Sequence, residues 1–124
     1  MKRSGPPKRK AKPPTADRDA IAAWRWAAWE RTPMRGMTHI CPVSGQALSW
    51  GRDEAHHPIE RATLKARGLP EFDPRNGVFV KRRVHERHTL AVERIPFAAL
   101  PECVVEYAAE LGPWAEDLLR RYHP

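Results

Sequence analysis

Four of the six histidines of this chain lie in one short window, residues 53–88. His56 and His57 are adjacent, and His85 and His88 follow after an insert. Imidazole is a common ligand for Zn²⁺ and other transition metals, and with an ordinary pKa of about 6.5 it can accept a proton from water at neutral pH. A run of Lys and Arg in the same window would attract phosphates. The window therefore indicates metal-assisted chemistry on a polyanion.

Two short strands and a helix are predicted to position these histidines. Residues 54–57 form a strand that stops at Pro58, because proline has no amide donor and keeps the preceding residue extended. A tight turn is predicted at residues 73–77. A second strand at Val78–Val80 and a helix from about Lys81 to Ala91 follow this turn directly.

The spacing within each histidine pair decides which rings share a face. His85 and His88 are three residues apart and lie on one face of a helix, whereas His56 and His57 are neighbours on a strand and point to opposite faces. Taken alone, the first pair is also typical of an exposed basic helix. In the order strand, turn, strand, helix, the strand ends and the first helical turns converge, so we expect the four rings to meet.

Three blocks of this window, E-A-H-H, D-P-R-N-G and V-H-E-R-H-T, resemble in that order the motif of HNH endonucleases. The ββα-metal fold of that family is shared by colicin nucleases, homing endonucleases and many bacteriophage enzymes, and the pattern is most similar to short bacteriophage HNH proteins. The resemblance covers roughly residues 53–89. It implies an α+β fold in which a small ββα-metal element is packed by an N-terminal Trp-rich helix and two C-terminal helices.

The resemblance also implies a role for each matching residue. His57 would be the general base, and Asn76 would hold the turn and orient His57, although Asn followed by Gly also suits a tight turn for purely local reasons. Glu54 would orient an imidazole by a hydrogen bond, without binding the metal itself. The implied metal ligands are His56, His85 and His88, and the implied phosphate contacts are Lys81, Arg82, Arg83 and Arg87.

The implied cofactor is one divalent ion, which could be Mg²⁺, Mn²⁺, Ni²⁺ or Zn²⁺. An all-imidazole site predicts tighter binding of Zn²⁺ or Ni²⁺ than of Mg²⁺, which prefers oxygen ligands. No structural zinc is expected, because only Cys41 remains of the four cysteines that many phage relatives use. The other three positions read Ser44, Lys81 and Val84, so Cys41 is expected to be a small buried apolar group.

The rest of the chain is predicted to support this window. Residues 1–14, rich in Lys, Arg and Pro, should form a disordered basic arm, either a phosphate-attracting segment or a solubilising tail. Residues 15–124 are expected to form a single domain with its core motif at 53–89 and a C-terminal helical section at 97–122.

Helices and a hairpin are expected outside the motif. The first helix should begin at Thr15 or Asp17 and end before Pro33, with its tryptophans more often in a core than stacked on bases. Residues 38–51 predict a hairpin around Ser44 and Gly45. A short helical insert is expected at 60–67. In the C-terminal section, Pro101 should lie in the first turn of a helix that ends at Gly112, and a last helix should carry Trp114, Leu118 and Tyr122 on one face. His39 and His123 are expected on the surface.

Composition limits the functional classes. The 124 residues carry a formal net charge of +7 with a pI of about 10.0, which suggests an anionic partner. No apolar run approaches the roughly 20 residues of a membrane span, and no apolar segment follows the N-terminal charges. A cytoplasmic protein with reduced Cys41 and Cys103 is therefore expected, in the host cytoplasm if it is phage-encoded.

The sequence thus predicts a metal-dependent DNA endonuclease that hydrolyses phosphodiester bonds with a histidine base. One alternative is a non-catalytic nucleic-acid-binding protein that kept the fold, for example as an accessory of a phage packaging enzyme. A second alternative is a structural zinc domain built on His56, His85 and His88. Neither alternative requires a base such as His57 beside the ligands.

Overall fold

The computed structural model describes residues 15–124, and the arm predicted for residues 1–14 lies outside the described residues. Within this range the chain is mixed α+β, with five α-helices and two small antiparallel sheets, so the predicted α+β class is confirmed. The elements in chain order are α1 (Thr15–Glu30), β1 (Met34–Arg35), β2 (Thr38–His39), β3 (Glu54–His56), α2 (Arg61–Ala66), β4 (Val78–Val80), α3 (Arg82–Thr89), a 3-10 turn (Phe97–Ala99), α4 (Glu102–Leu111) and α5 (Pro113–Tyr122).

Strands β3 and β4 pair as an antiparallel ribbon, with Glu54 opposite Val80 and His56 opposite Val78. All of β4 is buried, and α3 begins two residues after it ends. Strand β3 stops before Pro58, as the missing proline donor predicts. The ends of these two strands and of α3 thus lie within two residues of the predicted ones.

Helix α1 packs across the β3–β4 ribbon through its buried Trp24 and Ala28. The close packing of α1 on the backbone before β4 requires glycine at position 77, because a Cβ there would lie 2.9 Å from the Trp24 Nε1 and 3.2 Å from the Ala28 Cβ. Arg31, at the end of the helix, donates to the backbone carbonyls of the turn before β4, including the Gly77 carbonyl at 3.1 Å. Trp26 was expected to pack in the core, but it lies at the surface with 52% of its area exposed.

The hairpin predicted for residues 38–51 is only partly present. A single bridge joins Ile40 to Ala47, and the regular hairpin lies earlier, where β1 and β2 pair around Gly36. Gly36 has φ of 62°, a conformation that favours glycine at a tight turn. The later pairing closes in a turn, where the Gly45 amide donates to the Cys41 carbonyl at 2.9 Å.

The C-terminal section is a pair of packed helices. Gly112, with φ of 127°, separates α4 from α5 as predicted, and Pro101 lies at the N-cap of α4, one position before its first turn. The buried face of α5 differs from the expectation. Ala115 and Leu119 are buried, whereas the expected face of Trp114, Leu118 and Tyr122 is only half-buried.

Within residues 15–124, no helix is both long enough and apolar enough to span a membrane.

Asp53 joins the loop before β3 to the start of α3. Its carboxylate accepts the Ser49 amide at 2.7 Å, the Arg82 amide at 3.0 Å and the Lys81 ammonium at 3.1 Å. Burial would raise the pKa of this carboxyl, but these hydrogen bonds and the Lys81 charge hold it below its ordinary value. Asp53 thus acts as a cap for α3 from a distant part of the chain.

Replacing Asp53→Asn should destabilise the fold by about 1–2 kcal/mol at pH 7, because the charge-assisted bonds are weakened. A lowered folded-state pKa means that this stabilisation is fully present above the unfolded pKa of about 3.9 and is lost as pH falls through the folded value. Urea unfolding of both proteins at pH 7 and under acid conditions measures the difference, which should shrink on acidification. The control is Asp117→Asn, at an exposed position of α5. An equal loss in the control would contradict the assignment.

Candidate active site

One cavity of about 310 Å³ collects most of the histidines of the chain. The four that the sequence predicted to meet all line it, and so does a fifth from the C-terminus. The five lining histidines are His56, His57, His85, His88 and His123. They come from the end of β3, from α3 and from the residue after α5, so the cavity lies where three separate segments of the chain converge.

Three of these rings form a tight buried group, which we call the histidine cluster: His56, His88 and His123. One nitrogen from each ring lies within 4.8 Å of the others. The Nε2 atoms of His56 and His123 are 2.9 Å apart, and the rings of His88 and His123 stack with centroids 4.8 Å apart. His85 contacts the edge of the cluster, with its ring centroid 5.2 Å from that of His56.

The expectation that His123 is a surface residue in a purely structural section is wrong, since only 1% of His123 is exposed. The sequence held one signal for its burial. His123 continues the i, i+4 series of the buried Ala115 and Leu119, so it extends the inner face of α5. His39 is also not a free surface residue, because it is half-buried, stacks on Trp29 at 3.9 Å and bonds to the Thr32 hydroxyl at 2.6 Å.

Hydrogen bonds set which nitrogen of each cluster ring carries its proton. The His123 Nδ1–H donates to the Leu119 carbonyl at 2.9 Å, so the His123 Nε2 presents a lone pair. That lone pair accepts the His56 Nε2–H. The His88 Nδ1 accepts the Ile95 amide at 2.9 Å, which places the proton of His88 on Nε2. His88 would have to lose its hydrogen bond from the Ile95 amide in order to bind an ion.

Glu54 holds His85 from the neighbouring strand. The His85 Nδ1–H donates to the Glu54 carboxylate, which leaves the His85 Nε2 as the free nitrogen. A carboxylate behind an imidazole is the usual way of orienting a histidine ligand and raising its basicity. The imidazole that Glu54 contacts is thus that of His85.

His57 occupies a different wall from the histidine cluster. Its ring stacks on Trp24 with centroids 3.9 Å apart, and its Nε2–H donates to the Glu71 carbonyl at 3.0 Å. Its Nδ1 is therefore the nitrogen with a free lone pair. Burial lowers the pKa of His57 to about 4, against the opposing effect of the Glu71 carbonyl, so the ring is neutral at pH 7 and keeps its Nδ1 lone pair.

Asn76 is fully buried and ties the chain that follows His57 to the turn before β4. Its Oδ1 accepts the Ile59 amide at 3.0 Å and its Nδ2 donates to the Ile59 carbonyl at 2.9 Å. Its own carbonyl accepts the Trp24 indole N–H at 2.6 Å. Asn76 and Trp24 thus brace the segment of His57 from two sides.

The residues of the histidine cluster fit a divalent transition-metal ion. Three imidazole nitrogens within 4.8 Å suit Zn²⁺, Ni²⁺ or a similar ion and leave a coordination position for substrate. Burial lowers the pKa of His56 well below its ordinary value, that of His88 to about 4, and that of His123. All three rings are therefore neutral at pH 7, the state that metal binding requires.

A basic groove of about 840 Å³ runs along the start of α3. Three residues expected to contact phosphate line it, Arg82, Arg83 and Arg87, and Arg52 adds a fourth guanidinium from the loop before β3. Lys81 also lines it but directs its ammonium to Asp53, so its charge is partly used within the fold. Arg82 lies 3.9 Å from Glu54, which in turn holds His85, so the groove adjoins the histidine cavity.

The Cys41 side chain takes part in hydrogen bonds within the fold. Cys41 is buried, and its sulfur accepts the amides of Ser44 and Lys81, each at 3.5 Å. Cys41 and Cys103 are both free thiols.

Comparisons of the chain with family models, with curated proteins and with solved structures gave no significant match.

Replacing Asn76→Ala should destabilise the fold by roughly 2–4 kcal/mol, because the buried amide and carbonyl of Ile59 both lose their partner. Chemical denaturation monitored by tryptophan fluorescence measures the change. Gln46→Ala, which removes an exposed carboxamide, is the matched control and should have little effect. A loss below about 1 kcal/mol for Asn76→Ala would show that the carboxamide is not the brace described here.

Proposed function

We propose that the protein is a metal-dependent endonuclease that hydrolyses phosphodiester bonds of DNA. The observation that carries the proposal is the convergence in one cavity of a neutral His57, with a free Nδ1, and three imidazoles whose nitrogens lie within 4.8 Å of one another. A general base beside a metal site is the equipment that phosphodiester hydrolysis needs. A binding module or a structural zinc domain needs no such base.

Each residue has a defined task in this proposal. His57 accepts a proton at Nδ1 from the attacking water, and the bond to Glu71 keeps the ring in the tautomer that can do so. Asn76 keeps the His57 segment in place. His56, with the helix histidines His85 and His88, would hold a divalent ion. When bound, that ion would offset charge on the scissile phosphate and on the leaving 3′ oxygen. The products would carry a 5′-phosphate and a 3′-hydroxyl.

The order of the elements supports the proposal. An antiparallel ribbon, β3 and β4, is followed at once by α3, and the histidines lie at the end of β3 and along α3. This is the order expected of a ββα-metal element, and it agrees with the resemblance of residues 53–89 to the HNH motif. The insert with α2 separates the two strands without disturbing their pairing.

The basic groove supports DNA as the substrate. Arg52, Arg83 and Arg87 lie on the walls of a groove that adjoins the cavity through Arg82 and Glu54. Guanidinium groups bind phosphates without reading the sequence, so a DNA backbone along this groove would bring a phosphate toward the edge of the histidine cavity at His85. The groove thereby links a general affinity for polyanions to the histidine cavity.

Replacing His57→Ala should lower the rate of plasmid nicking at least about 100-fold, because the general base is removed. Calorimetry with Ni²⁺ should show nearly unchanged metal affinity, since His57 is not among the proposed ligands. His39→Ala is the matched control, because His39 is half-buried on an aromatic ring but does not line the cavity. Retained nicking by His57→Ala would contradict the assignment of the base.

Replacing Arg52 and Arg83 together by Ala should weaken DNA binding. If each contacts one phosphate, the slope of log K against log salt concentration should fall by about 1.8, or 0.9 for each phosphate. Fluorescence anisotropy on a short duplex over a series of NaCl concentrations measures the slope. The control replaces Arg35 and Lys65, which are exposed outside the groove, and removes the same charge. Equal slopes for the two double variants would place the DNA elsewhere.

A further inference from the structure

We infer that His123 is a ligand of the divalent ion, so that the metal joins the C-terminal end of the chain to the β3–β4–α3 unit. This inference rests on the proposed function in taking the cavity as a metal site. It adds a ligand that lies outside the HNH-like motif and belongs to a segment with no other chemistry. The evidence lies in the position, tautomer and anchoring of His123.

The position of His123 is that of a ligand rather than of a surface residue. The side chain is buried, and its Nε2 lies 2.9 Å from the His56 Nε2. Two nitrogens bound to one tetrahedral ion at about 2.0–2.1 Å lie about 3.3–3.4 Å apart. With the His56 proton moved from Nε2 to Nδ1, an opening of about half an ångström would therefore leave room for an ion between the two rings, held by the lone pairs of both Nε2 atoms.

The tautomer of His123 is the one that metal binding requires. Its Nδ1–H is held by the Leu119 carbonyl, one turn earlier on α5, so the Nε2 lone pair faces the cluster without a change of protonation. His88 differs, because its Nδ1 is occupied by the Ile95 amide. His85 differs too, because it lies outside the group of nitrogens within 4.8 Å. His123 can therefore bind an ion in its present tautomer, whereas His56 must first move its proton from Nε2 to Nδ1.

The backbone around His123 is held in place independently of any ion. Leu119 and Ala115 bury the same face of α5 against the core. The carbonyl of Pro124, the next residue, accepts the Phe97 amide at 3.1 Å. A ligand presented from such a fixed segment loses little conformational freedom on binding, and the ion then acts as a cross-link between residues 56 and 123.

The test is a calorimetric titration of the full chain with Ni²⁺ and with Zn²⁺. His123→Ala should bind both ions at least tenfold more weakly than wild type, and the rise in Tm that saturating Zn²⁺ produces should fall with it. His39→Ala, which leaves the cluster intact, should behave as wild type. Wild-type affinity in His123→Ala would overturn the inference.

A second measurement needs no variant and stands even if His123→Ala folds poorly. Imidazole ¹⁵N resonances of the wild-type protein are followed during Zn²⁺ titration. The His123 Nε2 resonance should shift to the range of a metal-bound nitrogen, while its Nδ1 stays protonated. An unchanged His123 Nε2 resonance at saturating Zn²⁺ would overturn the inference.

These measurements separate the inference from the proposed function. Loss of metal affinity in His123→Ala together with no nicking by the wild-type protein would support the ligand and refute the nuclease. Nicking by the wild-type protein together with unchanged metal affinity in His123→Ala would support the nuclease and refute the ligand.

Discussion

The two hydrogen bonds between the Asn76 carboxamide and the backbone of Ile59 are the constraint on which the site depends. They join the segment after β3 to the turn before β4, and the Trp24 indole bonds to the Asn76 carbonyl from α1. His57 lies between these fixed points and stacks on the same Trp24 ring. Because all these groups are buried or nearly so, losing one partner would leave polar atoms unpaired in the core. His57 is thus held by the buried Trp24 ring on one side and by the Glu71 carbonyl of the loop before β4 on the other.

A second regularity concerns the nitrogen that each ring presents. His57 donates from Nε2 to a carbonyl, whereas His85 and His123 donate from Nδ1 to an oxygen, so one free nitrogen is selected in each case. Such outer partners set the tautomer and orientation of a ring before any ligand arrives. Burial lowers the pKa of His57 and His123, which keeps both rings neutral at pH 7. The arrangement offers separate nitrogens for proton transfer and for metal binding.

Local patterns predicted much of this arrangement, and tertiary contacts decided the rest. Pro58 ended β3 and the turn before β4 formed as expected, because proline and the residues of tight turns restrict their own backbone. The burial of His123 was missed because it depends on how α5 packs, far along the chain from the other histidines. The hairpin around Ser44 and Gly45 formed only as a single bridge between Ile40 and Ala47, and the β1–β2 hairpin that precedes it was not expected. The role of Asp53 as a distant cap likewise has no local signal.

The most direct test of the account is incubation of the purified wild-type protein with supercoiled plasmid in Mg²⁺, Mn²⁺, Ni²⁺ or Zn²⁺, with EDTA as the control. The account predicts that nicked circles accumulate with at least one ion, that EDTA prevents nicking, and that DNA ligase reseals the nicks because they carry a 5′-phosphate and a 3′-hydroxyl. Binding of plasmid without nicking in all four ions would contradict the account and favour a non-catalytic nucleic-acid-binding protein.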